Sequence, residues 1–110
     1  MGVYRLYTGS DGESHIEEIN TSVLQNLKIT GTMSFSVQER APGHFMDFHP
    51  APFQRWQVGL VGRTIIGLSG GTAHTFVPGD VRLIEDTTGK GHTTTYPDGL
   101  TITMQVAPND

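Results

Sequence analysis

Short β-type runs, separated by turn residues roughly every eight to twelve positions, are the feature that most constrains the fold of this chain. The runs are rich in Val, Ile, Thr, Phe and Tyr, whereas Gly, Pro, Asn and Asp stand between them. They predict strands at 3–7, 34–39, 55–61, 63–68, 73–77, 81–85, 91–96 and 100–106. The pattern therefore predicts an all-β sandwich or barrel.

Two of the connections have the composition of tight hairpin turns. One is Gly70-Gly71, and the other is the Tyr-Pro-Asp-Gly segment at 96–99. A short helix is plausible only at 21–27, where Thr21 or Ser22 would cap it, and an edge strand fits that segment almost as well.

Length and charge limit the classes of function. A chain of 110 residues suits one domain, predicted at 1–110. The net charge of −4 and the low charged fraction of 16% argue against nucleic acid and anionic membranes as partners. Because the chain has no Cys, thiolate metal sites and disulfides are excluded. The N-terminal sequence lacks the basic region and apolar run of a signal peptide, so we expect a cytoplasmic protein.

Two segments carry more reactive side chains than a plain scaffold needs. Segment 43–56 holds two His, an Asp, an Arg and four aromatic rings. Segment 78–92 is a predicted strand that leads into a Gly-rich loop and then His92. Chemistry in this chain is therefore expected near 43–92.

The spacing within these segments resembles the two motifs of the cupins. Gly43, His49 and Gly62 stand where the first motif has its opening Gly, first His and closing Gly. Residues 78–92, from Pro-Gly-Asp to His92, resemble the second motif. The resemblance implies a cupin-type antiparallel β-barrel, also called a jelly roll or double-stranded β-helix, with a ligand cavity and a homodimeric assembly.

The same resemblance implies a degenerate metal site. Cupins usually bind a divalent metal such as Mn, Fe, Ni or Zn through two His and a Glu of the first motif and one His of the second. Here His49 and His92 match two ligand positions, but Ala51 stands at the second His and Arg55 at the Glu. A guanidinium opposes a dication electrostatically, so no metal cofactor is expected. If one binds, His49 and His92 are its predicted ligands.

Arg55 is the most informative position. Side chains two apart along a strand share a face, so Arg55 lies with Phe53 and Gln57, and Trp56 faces the other way. The cupin register implies that the Arg55 face lines the cavity, where its planar fork suits a carboxylate, carbonyl or enolate oxygen.

The predicted site has two groups of residues. His92 and then His49 are the candidate proton-transfer groups beside Arg55, although a structural role is the alternative for each imidazole. The predicted substrate-binding residues are Phe53, Gln57, Asp47 and Phe48.

Three functions remain open. The first is a metal-independent lyase, isomerase or cyclase acting on a small, mainly apolar biosynthetic intermediate by isomerisation, cyclisation, dehydration or decarboxylation. The second is a metal-dependent oxygenase or isomerase, which the ligand count disfavours. The third is a small-molecule-binding protein without turnover, because fold alone does not decide function.

Overall fold

The computed structural model describes residues 1–25, 27–28 and 31–108, which form ten β-strands and one short 3-10 helix. The strands are β1 (Val3–Thr8), β2 (Ser14–Ile19), β3 (Met33–Arg40), β4 (Phe45–His49), β5 (Arg55–Val61), β6 (Thr64–Gly67), β7 (Ala73–Phe76), β8 (Val81–Ile84), β9 (His92–Thr95) and β10 (Thr101–Pro108). The predicted all-β class is confirmed. No helix in the described ranges is long and apolar enough to cross a membrane.

The strands form two sheets. One has six strands in the order β2-β1-β8-β5-β10-β3, and the other has four in the order β4-β9-β6-β7. Neighbouring strands pair antiparallel except β1 and β8, which are parallel. Chain segments pass repeatedly from one sheet to the other, and this is the jelly-roll arrangement that the cupin resemblance implied.

Eight strands follow the predicted runs within two residues at each end, but β2 and β4 were not predicted. In β2, Glu17 and Glu18 break the alternation of apolar and polar residues. In β4, aromatic residues are interleaved with Asp47 and His49. Pairing with β1 and β9 forms these strands despite their weak patterns, since backbone hydrogen bonds do not depend on side-chain type.

One predicted hairpin is confirmed and the other is wrong. β6 and β7 pair across Gly71, whose φ of +91° is the left-handed conformation that Gly adopts readily. Segment 96–99 instead carries the chain from β9 in one sheet to β10 in the other. Its Asp98 binds the backbone N–H and guanidinium of Arg63, which fixes the crossover.

Segment 21–27 is only partly helical. The 3-10 helix is Thr21–Leu24, and its cap is Asn20, whose side chain accepts a hydrogen bond from the Ser22 N–H at 2.9 Å. Thr21 and Ser22 are therefore not the cap, and Asn26 lies outside the described residues.

An apolar cluster lies between the sheets, and a polar region adjoins it. The buried cluster consists of Leu6, Ala51, Ile66, Phe76 and Ile84. The inner face of the six-stranded sheet continues from this cluster with polar side chains on β3, β5, β8 and β10. This polar part of the interior is where the candidate site is found.

Candidate functional site

A cavity of about 350 Å³ lies between the two sheets. Its polar lining consists of Gln38, Arg40, His49, Arg55, Gln57, Arg82, His92, Thr94, Tyr96 and Gln105. Its apolar lining consists of Met46, Pro50, Pro52, Phe53, Ile66 and Ile84. The volume is that of a small-molecule site, and the polar groups outnumber the apolar ones.

The structure brings five of the seven predicted site residues to this one cavity. These residues, which come from β4, β5, β9 and the loop before β5, are His49, Phe53, Arg55, Gln57 and His92. Alternation along β5 places Arg55 and Gln57 on the inner face, as the sequence pattern predicted.

Asp47 and Phe48, the other two predicted substrate-binding residues, lie outside the cavity lining and are exposed. The register between β4 and β9 shifts between Met46 and His49, so this irregularity turns the two intervening residues outward. The Asp47 carboxylate accepts a hydrogen bond from the Phe48 N–H at 2.8 Å, and Lys90 Nζ lies 4.7 Å from the Phe48 ring centroid. Their predicted position in the pocket is therefore corrected.

His92 is buried and held by a carboxylate. Its Nδ1 lies 2.5 Å from Oδ2 of Asp86, which is fully buried and also accepts a hydrogen bond from the Ser14 hydroxyl at 2.6 Å. A carboxylate oxygen accepts, so Nδ1 of His92 carries a proton, and Nε2 is the nitrogen left to exchange a proton with a substrate. The pair fixes both the tautomer and the ring orientation.

His49 lies opposite His92 in the pairing of β4 with β9, and the two ring centroids are 5.2 Å apart. His49 Nδ1 donates to the Asp47 carbonyl at 2.7 Å, and no hydrogen bond within the described ranges uses its Nε2. Gly91 allows this approach, because a Cβ there would collide with the His49 carbonyl, and its φ is +81°. Gly91 therefore brings the two imidazoles together.

Arg55 is half-buried and has no carboxylate partner in the described ion pairs. Its Nη1 donates to the Phe53 carbonyl at 3.2 Å, its guanidinium carbon lies 5.2 Å from the Phe53 ring centroid, and its buried Nε has no partner. Burial lowers the pKa of Arg55, Asp86 opposes this shift, and Arg40 adds to it. The guanidinium therefore has donor capacity left for a ligand.

Arg82, which sequence analysis missed, lies fully buried at the inner face of β8. Its Nε and Nη2 both donate to the Gln57 Oε1, and Gln57 Nε2 donates in turn to the Gln105 Oε1 at 2.8 Å. Burial lowers the pKa of Arg82 to about 10, so it is charged at neutral pH. The sequence signal was the one charged residue in the apolar run of Val81–Ile84.

Arg40 and Tyr96 were also missed. Arg40 ends β3, and its guanidinium carbon lies 6.0 Å from the centroid of the buried Tyr96 ring. Alternation in Met33–Arg40 places Gln38 and Arg40 on one face, but only the packing of the second sheet shows that this face lines the cavity.

The residues around the cavity do not fit a divalent metal. Two imidazoles face it, and the described ranges contain no group of three or more His, Asp or Glu side chains placed to hold an ion. Ala51 packs in the apolar cluster, and Arg55 brings a positive charge where the cupin pattern has a Glu. Zn, Fe and Mn sites need three or four N or O ligands, which this site does not supply.

Sequence comparison finds no relative. No protein-family model matches the chain. No curated protein sequence matches it either.

Comparison of structures does find relatives. The DMSP lyase DddQ of Ruegeria pomeroyi DSS-3 matches 74% of this chain at 18% identity with a TM-score of 0.57. A sugar phosphate isomerase from a cupin superfamily of Silicibacter pomeroyi DSS-3 matches 91% of this chain at 16% identity with a TM-score of 0.57. A cupin superfamily protein of Desulfitobacterium hafniense DCB-2 matches 76% of this chain at 17% identity with a TM-score of 0.54.

The alignments cover different fractions of the three matched proteins. The alignments cover 40% of the DddQ chain, 61% of the isomerase and 73% of the Desulfitobacterium protein. Identities this low carry the fold and not the activity. Together with the two-sheet topology and the cavity between the sheets, they show that this chain has the cupin fold.

Proposed function

We propose that this chain is a metal-independent lyase or isomerase that acts on a small molecule bearing a carbonyl or carboxylate group. Arg55 binds and polarises the substrate oxygen, and His92 moves a proton. His49 is the second candidate for proton transfer, because it lines the same cavity and its described hydrogen bond uses only Nδ1.

The observation that carries this proposal is that an oriented base, His92, and a guanidinium without an acidic partner, Arg55, line the same cavity. His92 is oriented by Asp86, and Arg55 lines the same cavity without a carboxylate partner among the described ion pairs. A general base fixed by a carboxylate and a preorganised oxyanion donor are the two parts that enolisation requires.

The reaction begins with removal of a proton from the carbon next to the substrate carbonyl. Nε2 of His92 takes the proton, the C–H electron pair forms a C=C bond, and the carbonyl oxygen becomes an enolate oxygen beside Arg55. Return of the proton to another carbon gives isomerisation. Departure of a β-substituent with its bonding electrons gives elimination instead. Both outcomes need no redox cofactor.

The named structural relatives support the reaction class. One is a lyase and another an isomerase, and each has the same fold as this chain. This chain spans only part of each, so substrate identity is not carried over.

A proton-exchange experiment tests the proposal without knowledge of the natural substrate. Metal-stripped protein in D2O is incubated with a panel of small 2-oxo and 3-oxo carboxylic acids, and loss of the ¹H signal next to the carbonyl is followed by NMR. We expect catalysed exchange with the natural chain, and loss of it in His92→Gln and in Arg55→Gln. Arg63→Gln is the matched control, since Arg63 is exposed and bound to Asp98 away from the cavity. Equal exchange in all four proteins would contradict the proposal.

The unpartnered guanidinium donors also favour a second candidate, a binding protein without turnover. Binding of an oxo acid that depends on Arg55, with no exchange in D2O, would select this alternative.

A further inference from the structure

Three arginines of the described chain face the cavity, and they differ from the other two in their partners. Arg5 and Arg63 each form ion pairs with carboxylates. Arg40, Arg55 and Arg82 form none within the described ranges, although all three line the cavity. The cavity therefore concentrates positive charge in a chain whose net charge is −4.

Each cavity arginine also keeps a buried nitrogen without a hydrogen-bond partner. These atoms are Nε of Arg40, Nε of Arg55 and Nη1 of Arg82. Buried polar atoms in proteins are normally paired, and a charged donor without a partner is especially unfavourable. The three guanidiniums are therefore undersupplied with acceptors, and a ligand in the cavity that all three side chains line can supply them.

The amides beside Arg82 are arranged to leave donors, not acceptors, at the cavity. Oε1 of Gln57 already accepts two hydrogen bonds from Arg82, and Oε1 of Gln105 accepts from Gln57. No described hydrogen bond uses the amide nitrogen of Gln105 or Nη1 of Arg82. Both are donors, which suits an acceptor-only group such as a carboxylate.

The arginines rise from separate strands. In the sheet order β8-β5-β10-β3, Arg82 is on the first strand, Arg55 on the second and Arg40 on the fourth. The spacing of strands puts the backbones of β8 and β3 about 14 Å apart. This spread favours a ligand with anionic groups at two ends over a single tetrahedral anion.

We propose that the cavity binds a small dicarboxylate, with one carboxylate at Arg82 and the other at Arg40. Arg55, on the strand between them, then meets the oxygen of the reacting carbonyl. The inference rests on the proposed function for the role of Arg55, and it makes the substrate an oxo-dicarboxylate, more polar than the sequence alone predicts. The lowered pKa of Arg82 agrees with it, because burial disfavours the guanidinium charge and a carboxylate in the cavity would stabilise it.

Isothermal titration calorimetry with matched probes tests this inference. Glutarate and valerate share a five-carbon chain and differ in one carboxylate, and glycerol 3-phosphate supplies a single tetrahedral dianion. We expect glutarate to bind the natural chain at least about tenfold more tightly than valerate. Arg82→Gln and Arg40→Gln should each remove that preference, whereas Arg63→Gln should keep it.

Several results would overturn the inference. They are equal affinities for glutarate and valerate, a preference unchanged in Arg40→Gln, and tighter binding of glycerol 3-phosphate than of glutarate. Arg40 is less buried than Arg82, so its variant keeps the test valid if Arg82→Gln fails to fold by circular dichroism.

The proton-exchange experiment separates this inference from the proposed function. If the protein prefers glutarate but exchanges protons in no oxo acid, the dicarboxylate site is supported and the proposed enzymatic activity is contradicted. If monocarboxylic and dicarboxylic oxo acids exchange at equal efficiency, the proposed enzymatic activity is supported and the dicarboxylate site is contradicted.

Discussion

Asp86 holds His92 in one orientation, with Oδ2 of the carboxylate 2.5 Å from Nδ1 of the imidazole. Both side chains are buried, and Ser14 binds the same carboxylate oxygen. Asp86 follows the end of β8 and His92 begins β9, so the pair joins the six-stranded sheet to the four-stranded one. The contact therefore serves both the packing of the sheets and the tautomer of the candidate base.

Replacing Asp86 with Asn tests the role of that tautomer. An amide nitrogen can donate to Nδ1, which moves the imidazole proton to Nε2 and removes the lone pair from the cavity. We expect proton exchange to fall by about 10²–10⁴-fold while the fold is retained. NMR rates, together with circular dichroism spectra, measure this. Unchanged exchange in Asp86→Asn would assign His92 a structural role.

Removal of the Arg55 guanidinium tests the candidate electrophile. Arg55→Ala should reduce exchange by about 10²–10³-fold, because a donor to the developing enolate oxygen is lost. Arg55→Lys should recover only part of the rate, since an ammonium group lacks the planar fork. A rate of proton exchange in Arg55→Ala equal to that of the natural chain would contradict the mechanism.

The ligand count predicts that the purified protein holds no stoichiometric transition metal. Elemental analysis should give well under one Mn, Fe, Ni or Zn per chain, and dialysis against a chelator should leave proton exchange unchanged. One tightly bound metal per chain, absent from His49→Ala or His92→Ala, would show that the two imidazoles form a metal site after all.

Gly91→Ala should destabilise the protein more than Gly71→Ala does. Both glycines have positive φ. A Cβ at Gly91 would collide with the His49 carbonyl, whereas a Cβ at Gly71 would have no atom within 4 Å. We expect a loss in the free energy of unfolding of about 1–2 kcal/mol for Gly71→Ala and about 3 kcal/mol or more for Gly91→Ala. Urea denaturation measures both. Equal losses would mean that the close approach of β4 to β9 adds nothing.

The predicted homodimer is expected to use the outer face of the six-stranded sheet. Phe35 and Val37 on the edge strand β3 are 63% and 57% exposed, and both point away from the cavity. Light scattering should give twice the chain mass of 12.0 kDa, and Val37→Glu should give the monomer. Thr75→Glu, which adds the same charge on β7 of the other sheet, is the control. A monomer at all concentrations of the natural chain would contradict the expectation.

The sequence alone determined eight of the ten described strands and the residues that share a face with Arg55. Alternation is a local property of an extended backbone, so it places Arg55 and Gln57 together whatever the rest of the chain does. Turn residues likewise mark where strands end, and the cupin spacing supplied the expectation that the Arg55 face is the inner one.

Only the tertiary structure decided which distant residues meet. The Asp86–His92 pair, the amide chain from Arg82 to Gln105 and the place of Arg40 depend on strand order, which no local pattern encodes. The register shift in β4 likewise turned Asp47 and Phe48 outward, since it is set by pairing with β9 and not by the residues of β4. Three arginines without acids converge on one cavity because non-adjacent parts of the chain pair into one sheet.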